Sequence, residues 1–555
     1  MTSLTQASAR FRDLLTLVEE YFAAGNLSAA VRLAQIAARY AYPGNVGLFG
    51  SPRLERLLLE LGKQIPSASG CGVRHRDGKS RNLLHVLSYG RPVGGDSRFV
   101  WRWMQEDRNS RHSVAITTQA DIEDTYKVPE FLRQSAENSG GFLRTLSAPT
   151  SNPLEQAREL RALCQQMDIV ALHLFPYDIV PLLALAAGCD TIKTLFVNHS
   201  DHTFWIGASV AHSVVNLRRQ SPHFLRNRRG LYPDKSSILP IPLEYSPPSV
   251  TQVQAKRALG YEPDVVLLLT IASPFKYTSP GQIGFLDLVT PVLAKMPQAV
   301  LLAVGPDPKG AWRSASISTE DRIVLLGARW DNDLLYAAAD VYLDSVPFSS
   351  ITSLLEAGSH GVPLLGYGLP NPALELLRPG APGLDNAMEL ANDVESYRTL
   401  LTRLISDAKF RRRSGQRVQA LILSLHTGSN WIHAVHELYA RVERSNDRDC
   451  LLENDDTFEV SALNLALVQL YGHWNIRQLI RNFVGTLPYY SRLPITWCLH
   501  LKGFDICFSN LLPPPAHGII LGVGRKAKRI IHRLLHFLQV WIWSWIWFRS
   551  RQEKT

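Results

Sequence analysis

Residues 340–368 read DVYLDSVPFSSITSLLEAGSHGVPLLGYG. A short apolar run leads into a loop of small hydroxyl residues. A helical stretch follows, and Gly-Val-Pro turns the chain into a second apolar run. Runs this short and unbroken suit strands buried on both faces, and strand–helix–strand alternation builds a parallel sheet. Ser350, Thr352 and Ser353 fall at or before the helix start, where hydroxyls, unpaired amides and the helix dipole make an anion site. Glu356 lies about one turn further in and can accept hydrogen bonds from ribose hydroxyls. Ser353 and Glu356 also have capping-box spacing, and one carboxylate cannot fully do both.

The same alternation extends in both directions. Upstream, VVLLLTIAS (265–273), AVLLAVGP (299–306) and RIVLLGA (322–328) complete a second β/α series with the two runs above. EYSPPSV (244–250) interrupts the pattern with two prolines and reads as a domain boundary. Before it, LLHVLSY (83–89), SVAITTQ (113–119), DIVALHLF (168–175), IKTLFVNH (192–199) and SSILPIPL (236–243) form a first series. The expected fold is therefore α/β, with two Rossmann-like domains at 81–245 and 250–443 facing a cleft. Ligands in such sheets bind outside the carboxyl ends of the strands.

The ends differ from this body. Residues 1–64 carry helical periodicity, with breaks at Gly25 and Pro43-Gly44, and resemble one tetratricopeptide-like unit that must pack on a neighbour. Residues 65–80 read as a linker. DVESYRTLLTRLISDAKFRRRSGQRVQALI is the clearest helical stretch of 385–443, and 444–519 is a helical extension without a readable motif. Residues 520–555 form a basic, Trp-rich amphipathic tail. From Ile506 to Gln552 there are seven Lys/Arg and no Asp or Glu. The apolar run Leu534–Phe548 has fifteen residues, short of the roughly twenty that span a bilayer. Trp flanked by Lys/Arg suits the membrane interface, so the tail is expected on the inner leaflet; a Trp stripe packed on the protein is the alternative.

Over 555 residues the charged fraction is 19%, the apolar fraction 46% and the net charge +10. These values describe globular cores rather than a polytopic membrane protein, with a bias toward anionic partners. No basic run is interleaved with aromatics, so nucleic acid is not expected. The six cysteines are scattered without metal-like spacing and read as reduced thiols. Charges fall where a signal peptide's apolar region would sit, and the body is expected to be cytoplasmic.

Three further segments carry candidate chemistry. Gly94 and Gly95, in SYGRPVGGDSR (88–98), end the first strand and let a backbone approach a ligand. The pattern is not GxGxxG, so no dinucleotide cofactor is expected. FVNHSDHTFW (196–205) ends a strand in a polar cluster where His202 or Asp201 could act as base toward a hydroxyl. No third ligand at suitable spacing supports a metal there. SPFKYTSPG (273–281) presents Lys276, a point charge that can meet a diphosphate.

ADVYLDSVPFSSITSLLEAGSHGVPLL resembles the donor-binding segment of GT-B glycosyltransferases. It is nearest to the group-1 (family 4) enzymes and the O-linked N-acetylglucosamine transferase-like superfamily. HVLSYGRPVGGDSRFVWRW, NHSDHTFWIG, ASPFKY and HTGSNWIHAVHELYARV are also similar to that superfamily, in the expected order, over roughly residues 81–443. The resemblance implies a nucleotide-diphosphate sugar donor bound mainly by the second domain, without an obligatory metal or a cofactor. It places Glu356 on the ribose, Thr352, Ser353 and Lys276 on the diphosphate, and Gly94, Gly95 and His202 toward the transferred sugar or acceptor. The acceptor would be a hydroxyl of a saccharide, a lipid-linked sugar or a protein, in polysaccharide or glycoconjugate synthesis. Many family-4 enzymes carry two Glu separated by seven residues; the first would fall at Phe348 here, which leaves the anomeric outcome open. Two rival readings stand beside this one. A nucleotide-sugar epimerase shares the fold, and a non-catalytic scaffold would bind partners through the helical ends.

Overall fold

The computed structural model describes residues 4–42, 46–66, 80–91, 95–117, 128–146, 153–187, 189, 191–278, 283–329, 331–369, 371–452, 456, 458–471, 483–484 and 489–504. Gly94, most of the 65–80 segment and the whole 520–555 tail lie outside these residues. The chain divides into two compact units, residues 1–474 and 475–555; in the second, the described part is chiefly a helix at Tyr489–Leu501.

Unit one holds two parallel sheets. The first comprises β1 (Asn82–Leu87), β2 (Arg111–Ile116), β3 (Leu143–Thr145), β4 (Ile169–His173), β5 (Lys193–Asn198), β6 (Ser213–Asn216) and β7 (Ser236–Ile238), in the order β3-β2-β1-β4-β5-β6-β7. The second comprises β8 (Val266–Ile271), β9 (Ala299–Val304), β10 (Ile323–Gly327), β11 (Val341–Leu343), β12 (Leu364–Tyr367) and β13 (Glu389–Ala391), in the order β10-β9-β8-β11-β12-β13. Each is doubly wound with a switch point between its first and fourth strands, so the fold is the two-Rossmann, GT-B-type arrangement.

Helices α1 (Leu4–Ala23), α2 (Leu27–Ala41) and α3 (Pro52–Lys63) precede the first sheet. Its helices are α4 (Gly95–Glu106), α5 (Glu130–Asn138), α6 (Pro153–Cys164), α7 (Val180–Leu185) and α8 (Pro222–Asn227). The second half carries α9 (Gln252–Ala258), α10 (Phe285–Lys295), α11 (Gly310–Ser318), α12 (Asp333–Ala338), α13 (Ile351–Ser359) and α14 (Leu384–Ala387). These are followed by α15 (Val394–Ser406), α16 (Ala408–His426), α17 (Gly428–Arg444) and α18 (Ala462–Tyr471).

The N-terminal helices do pack on a neighbour. Asn26 caps α2 by accepting from the Ala29 amide at 3.2 Å, and the buried Glu55 of α3 accepts from the Ser209 amide at 2.8 Å. The Arg161 guanidinium donates to the carbonyls of Gly62, Ile65, Leu183 and Ala184 at 2.8–3.0 Å, tying the end of α3 to α6 and α7.

Several expectations need correction. The helical stretch at 393–422 is two helices, because Asp407 caps α16 by accepting from the Phe410 amide at 2.9 Å. Helix α17, assigned from sequence to the second domain, buries Trp431, Val435, Leu438, Tyr439 and Val442 in the core of the first sheet. Strands β3, β6 and β13 escaped the sequence reading because they have only three or four residues and a polar share. In β6, Asn216 and Ser213 are buried in a side-chain ladder with Asn198, Ser236 and Ser237, which replaces the apolar signal.

Candidate active site

Loops at the carboxyl ends of both sheets line one cavity of about 690 Å³. Gly95, Asp201, His202, Lys276, Ser350, Thr352, Ser353 and Glu356 all line it, brought together from positions up to 261 residues apart (356 minus 95). Five arginines (Arg91, Arg98, Arg102, Arg218 and Arg329) and Lys276 face three carboxylates (Asp96, Asp201 and Glu356), so the cavity favours an anion.

On the second half, the loop after β11 wraps around a buried carboxylate. Asp344 Oδ1 accepts from the amides of Ser345 and Ser350, both at 2.9 Å, and Ser345 Oγ donates to the Phe348 carbonyl at 2.6 Å. Burial lifts Asp344 to about 6, against the pull of its hydrogen bonds and of Lys276. This loop launches α13 with Ser350 as its N-cap and no side-chain cap bond. Thr352 and Ser353, in the first turn of α13 whose amides lack helical partners, line the cavity, and Ser353 Oγ accepts from Ser350 Oγ at 3.3 Å. Gly358 lets α13 close on α16: a Cβ there would stand 2.3 Å from Ile422 Cδ1 and 2.7 Å from Val418 Cγ1.

The capping-box alternative for Ser353 and Glu356 is not what forms, because Ser353 is already inside the helix. Glu356 instead accepts from Arg102 Nη2 and from the Tyr336 hydroxyl, each at 3.2 Å. Arg102 lies on α4 of the first half and also donates to the Pro242 carbonyl at 3.3 Å, so an ion pair crosses the cleft. Lys276, in a 3-10 turn after β8, donates to the Ser349 carbonyl at 3.0 Å and sits 4.9 Å from the Phe348 ring centroid. Burial and the nearby Arg218 lower its pKa to about 8, with Asp344 opposing.

On the first half, Gly95 opens α4 toward the cavity. A Cβ there would meet nothing within 4 Å, so the space in front of it is open. His202 is held on three sides. Its Nε2 lies 2.6 Å from the Tyr471 hydroxyl, its Nδ1 3.5 Å from Asp201 Oδ1, and its ring stands edge-on to Phe348 at 4.7 Å. Burial lowers its pKa, with Asp201 opposing. Asp201 is taken up by a bidentate pair from Arg218. Burial alone would raise its pKa, but the Arg218 charge and the bonds from His202 and Arg218 hold it well below the usual carboxylate range.

Sequence reading missed Arg102, Tyr336, Arg218 and Tyr471. Arg102 stood inside the quoted GGDSRFVWRW segment, at the spacing that puts Arg98 and Arg102 on one face of α4. Tyr471 ends α18 in a segment without any motif, and nothing local marks it. Among the described residues no three His, Cys, Asp or Glu side chains converge as metal ligands would, and no helix is long and apolar enough to cross a membrane.

No known protein family and no curated protein sequence matches this chain. Among solved structures it is similar to a glycosyltransferase from Rickettsia africae ESF-5, at 12% identity and a TM-score of 0.48, covering 66% of this chain and 99% of that one. It is also similar to Anabaena HepE in complex with UDP, at 14% identity and a TM-score of 0.47, covering 65% and 99%. A third likeness is to an O-GlcNAc transferase mutant from Thermobaculum terrenum, at 16% identity and a TM-score of 0.44, covering 78% and 84%. At these values the likenesses are partial, and the fold assignment rests on the two sheets themselves.

Proposed function

We propose that this chain is a glycosyltransferase that moves a sugar from a nucleotide-diphosphate donor to a hydroxyl acceptor across the cleft. The observation that carries this reading is the convergence, in one basic cavity, of two helix N-termini from opposite halves. The start of α13, with Thr352, Ser353 and Lys276, is an anion site, and Gly95 at the start of α4 faces it across open space.

In this reading the diphosphate lies against the first turn of α13. As the glycosidic bond breaks, the leaving oxygen gains charge, and the amides, hydroxyls and Lys276 ammonium stabilise it without reorganising. Glu356 exchanges one of its present partners for the ribose hydroxyls. His202, held by Tyr471 and Asp201, packs its ring beside the transferred sugar, and Asp201, pinned by Arg218, sets its orientation. With both carboxylate oxygens engaged, Asp201 is a positioning residue rather than a base. The acceptor enters past Gly95, and the 520–555 tail brings the enzyme to a membrane surface carrying a lipid-linked acceptor.

The test is thermal unfolding with UDP, GDP, dTDP and ADP, repeated on Glu356→Ala. A ligand at a hundred times its dissociation constant adds about 2.7 kcal/mol. One nucleotide stabilising the wild type and failing on the variant supports the reading. No effect from any nucleotide refutes it and moves the scaffold alternative forward.

A further inference from the structure

Four histidines form a hydrogen-bonded file through the core of the first half. His112 Nδ1 lies 3.0 Å from His85 Nε2, His85 Nδ1 lies 3.1 Å from His173 Nε2, and His173 Nδ1 lies 2.9 Å from His199 Nε2. The register pairs Leu83 with His112 and Leu87 with His173. With a side-chain period of two, His85, His112 and His173 therefore share one face of the sheet. His112 is near the start of β2, His85 is midway along β1, His173 ends β4 and His199 follows β5, so the file climbs from the amino edge of the sheet to the cleft. Trp103 and Phe99 of α4 wall it off, with Trp103 5.5 Å from His85 and Phe99 5.1 Å from His199, ring centre to ring centre.

The lower end of the file has a fixed polarity. His112 Nε2 lies 2.9 Å from the Asp107 carbonyl oxygen, which can only accept, so that nitrogen carries the proton. Burial lowers the pKa of all four rings, which keeps them neutral, with one N–H each. His112 Nδ1 must then accept from His85 Nε2–H, His85 Nδ1 from His173 Nε2–H, and His173 Nδ1 from His199 Nε2–H. One backbone carbonyl thus dictates four tautomers and leaves a lone pair on His199 Nδ1. His199 lines the cavity, and the carboxylate that bears on it is Asp96 of α4. Both nitrogens of His202, by contrast, already face protein partners.

We propose that His199 Nδ1 is the base that takes the acceptor's proton, and that His85, His112 and His173 are positioning residues that fix its tautomer. The role as base rests on the transferase reading of the cleft; the tautomer does not. In the step, the acceptor oxygen bonds to the anomeric carbon as its proton passes to His199 Nδ1. The bond from that carbon to the diphosphate breaks with its electron pair leaving on the diphosphate. The His199 imidazolium keeps donating through Nε2 to His173 and returns the Nδ1 proton to water once product leaves.

The experiment is nitrogen NMR of the full chain labelled with 15N-histidine, with His199 assigned by the signal lost in His199→Gln. The expected result is a bare Nδ1 and a protonated Nε2 on His199 in the wild type, and a mixture of tautomers in His85→Phe. A proton on Nδ1 in the wild type overturns the proposal, a measurement that stands even if His85→Phe does not fold. In parallel, nucleotide release from UDP-, GDP- and dTDP-sugars should fall about 100-fold or more in His199→Gln, with nucleotide binding unchanged. Unchanged turnover in that variant overturns the role as base. Failure of the wild type to bind any nucleotide instead overturns the transferase reading, and the role as base with it, while the NMR result still decides the file.

Discussion

Lys276→Met should separate binding from folding at the candidate donor site. Its ammonium donates to the Ser349 carbonyl and lies partly buried at the mouth of the α13 turn. A charge-assisted hydrogen bond to a diphosphate contributes about 1.5–3 kcal/mol, so the variant should bind the nucleoside diphosphate about 10- to 150-fold more weakly. A second signature follows from its pKa of about 8 in the empty site. Below that value the lysine is charged and matches the anion; above it, the lysine is neutral and the match is lost. An anion stabilises the charged form, so binding raises the pKa and takes up a proton. Wild-type affinity should fall about tenfold from pH 7 to pH 9, a range in which a phosphate with a second pKa of about 6 is already ionised. Titration calorimetry at several pH values, in buffers of different ionisation enthalpy, reads both affinity and proton uptake. The variant should be weak and flat with pH. Parallel curves for wild type and variant would refute the placement of Lys276 at the diphosphate.

Gly95→Ala should fold with wild-type stability, since the added methyl meets nothing within 4 Å, yet lose transfer activity by tenfold or more if substrate fills that space; equal activity would remove Gly95 from the site. Glu55 is buried, and desolvation raises its pKa from 4.5 to about 7 despite the Ser209 and Gly207 hydrogen bonds. The folded state therefore holds this proton more tightly than the unfolded chain. The resulting stability is complete below about pH 4.5 and is lost as pH rises through 7, by up to about 3 kcal/mol. Glu55→Gln should flatten the melting temperature over that window, and an unchanged slope in the variant would count against the assignment. Deletion of residues 520–555 should abolish co-sedimentation with anionic liposomes, and undiminished sedimentation would refute the membrane role of the tail.

Much of this architecture is written locally. Continuous apolar runs such as VVLLLTIAS and AVLLAVGP suit strands covered on both faces, and their alternation with helical stretches points to two parallel sheets. The small hydroxyl residues before LLEAGSHGVP mark a helix start that can hold an anion, and Gly95, Lys276 and His202 all fall in segments that follow strands, on the side where such sheets bind ligands. What no local pattern could supply is partnership. Arg102 meets Glu356 across 254 residues, Tyr471 meets His202 across 269, and Trp103 donates to Tyr439 across 336. The histidine file is the clearest case. His85, His112 and His173 each look like an isolated polar residue in a strand and His199 like one member of a polar cluster, and only the register of neighbouring strands sets their nitrogens at hydrogen-bond distance. Periodicity is a property of a segment, so the sequence by itself could determine elements, their class and where loops gather. The proton positions and ion pairs of a site belong to side chains that approach only after the chain has folded, and the tertiary structure alone decided them.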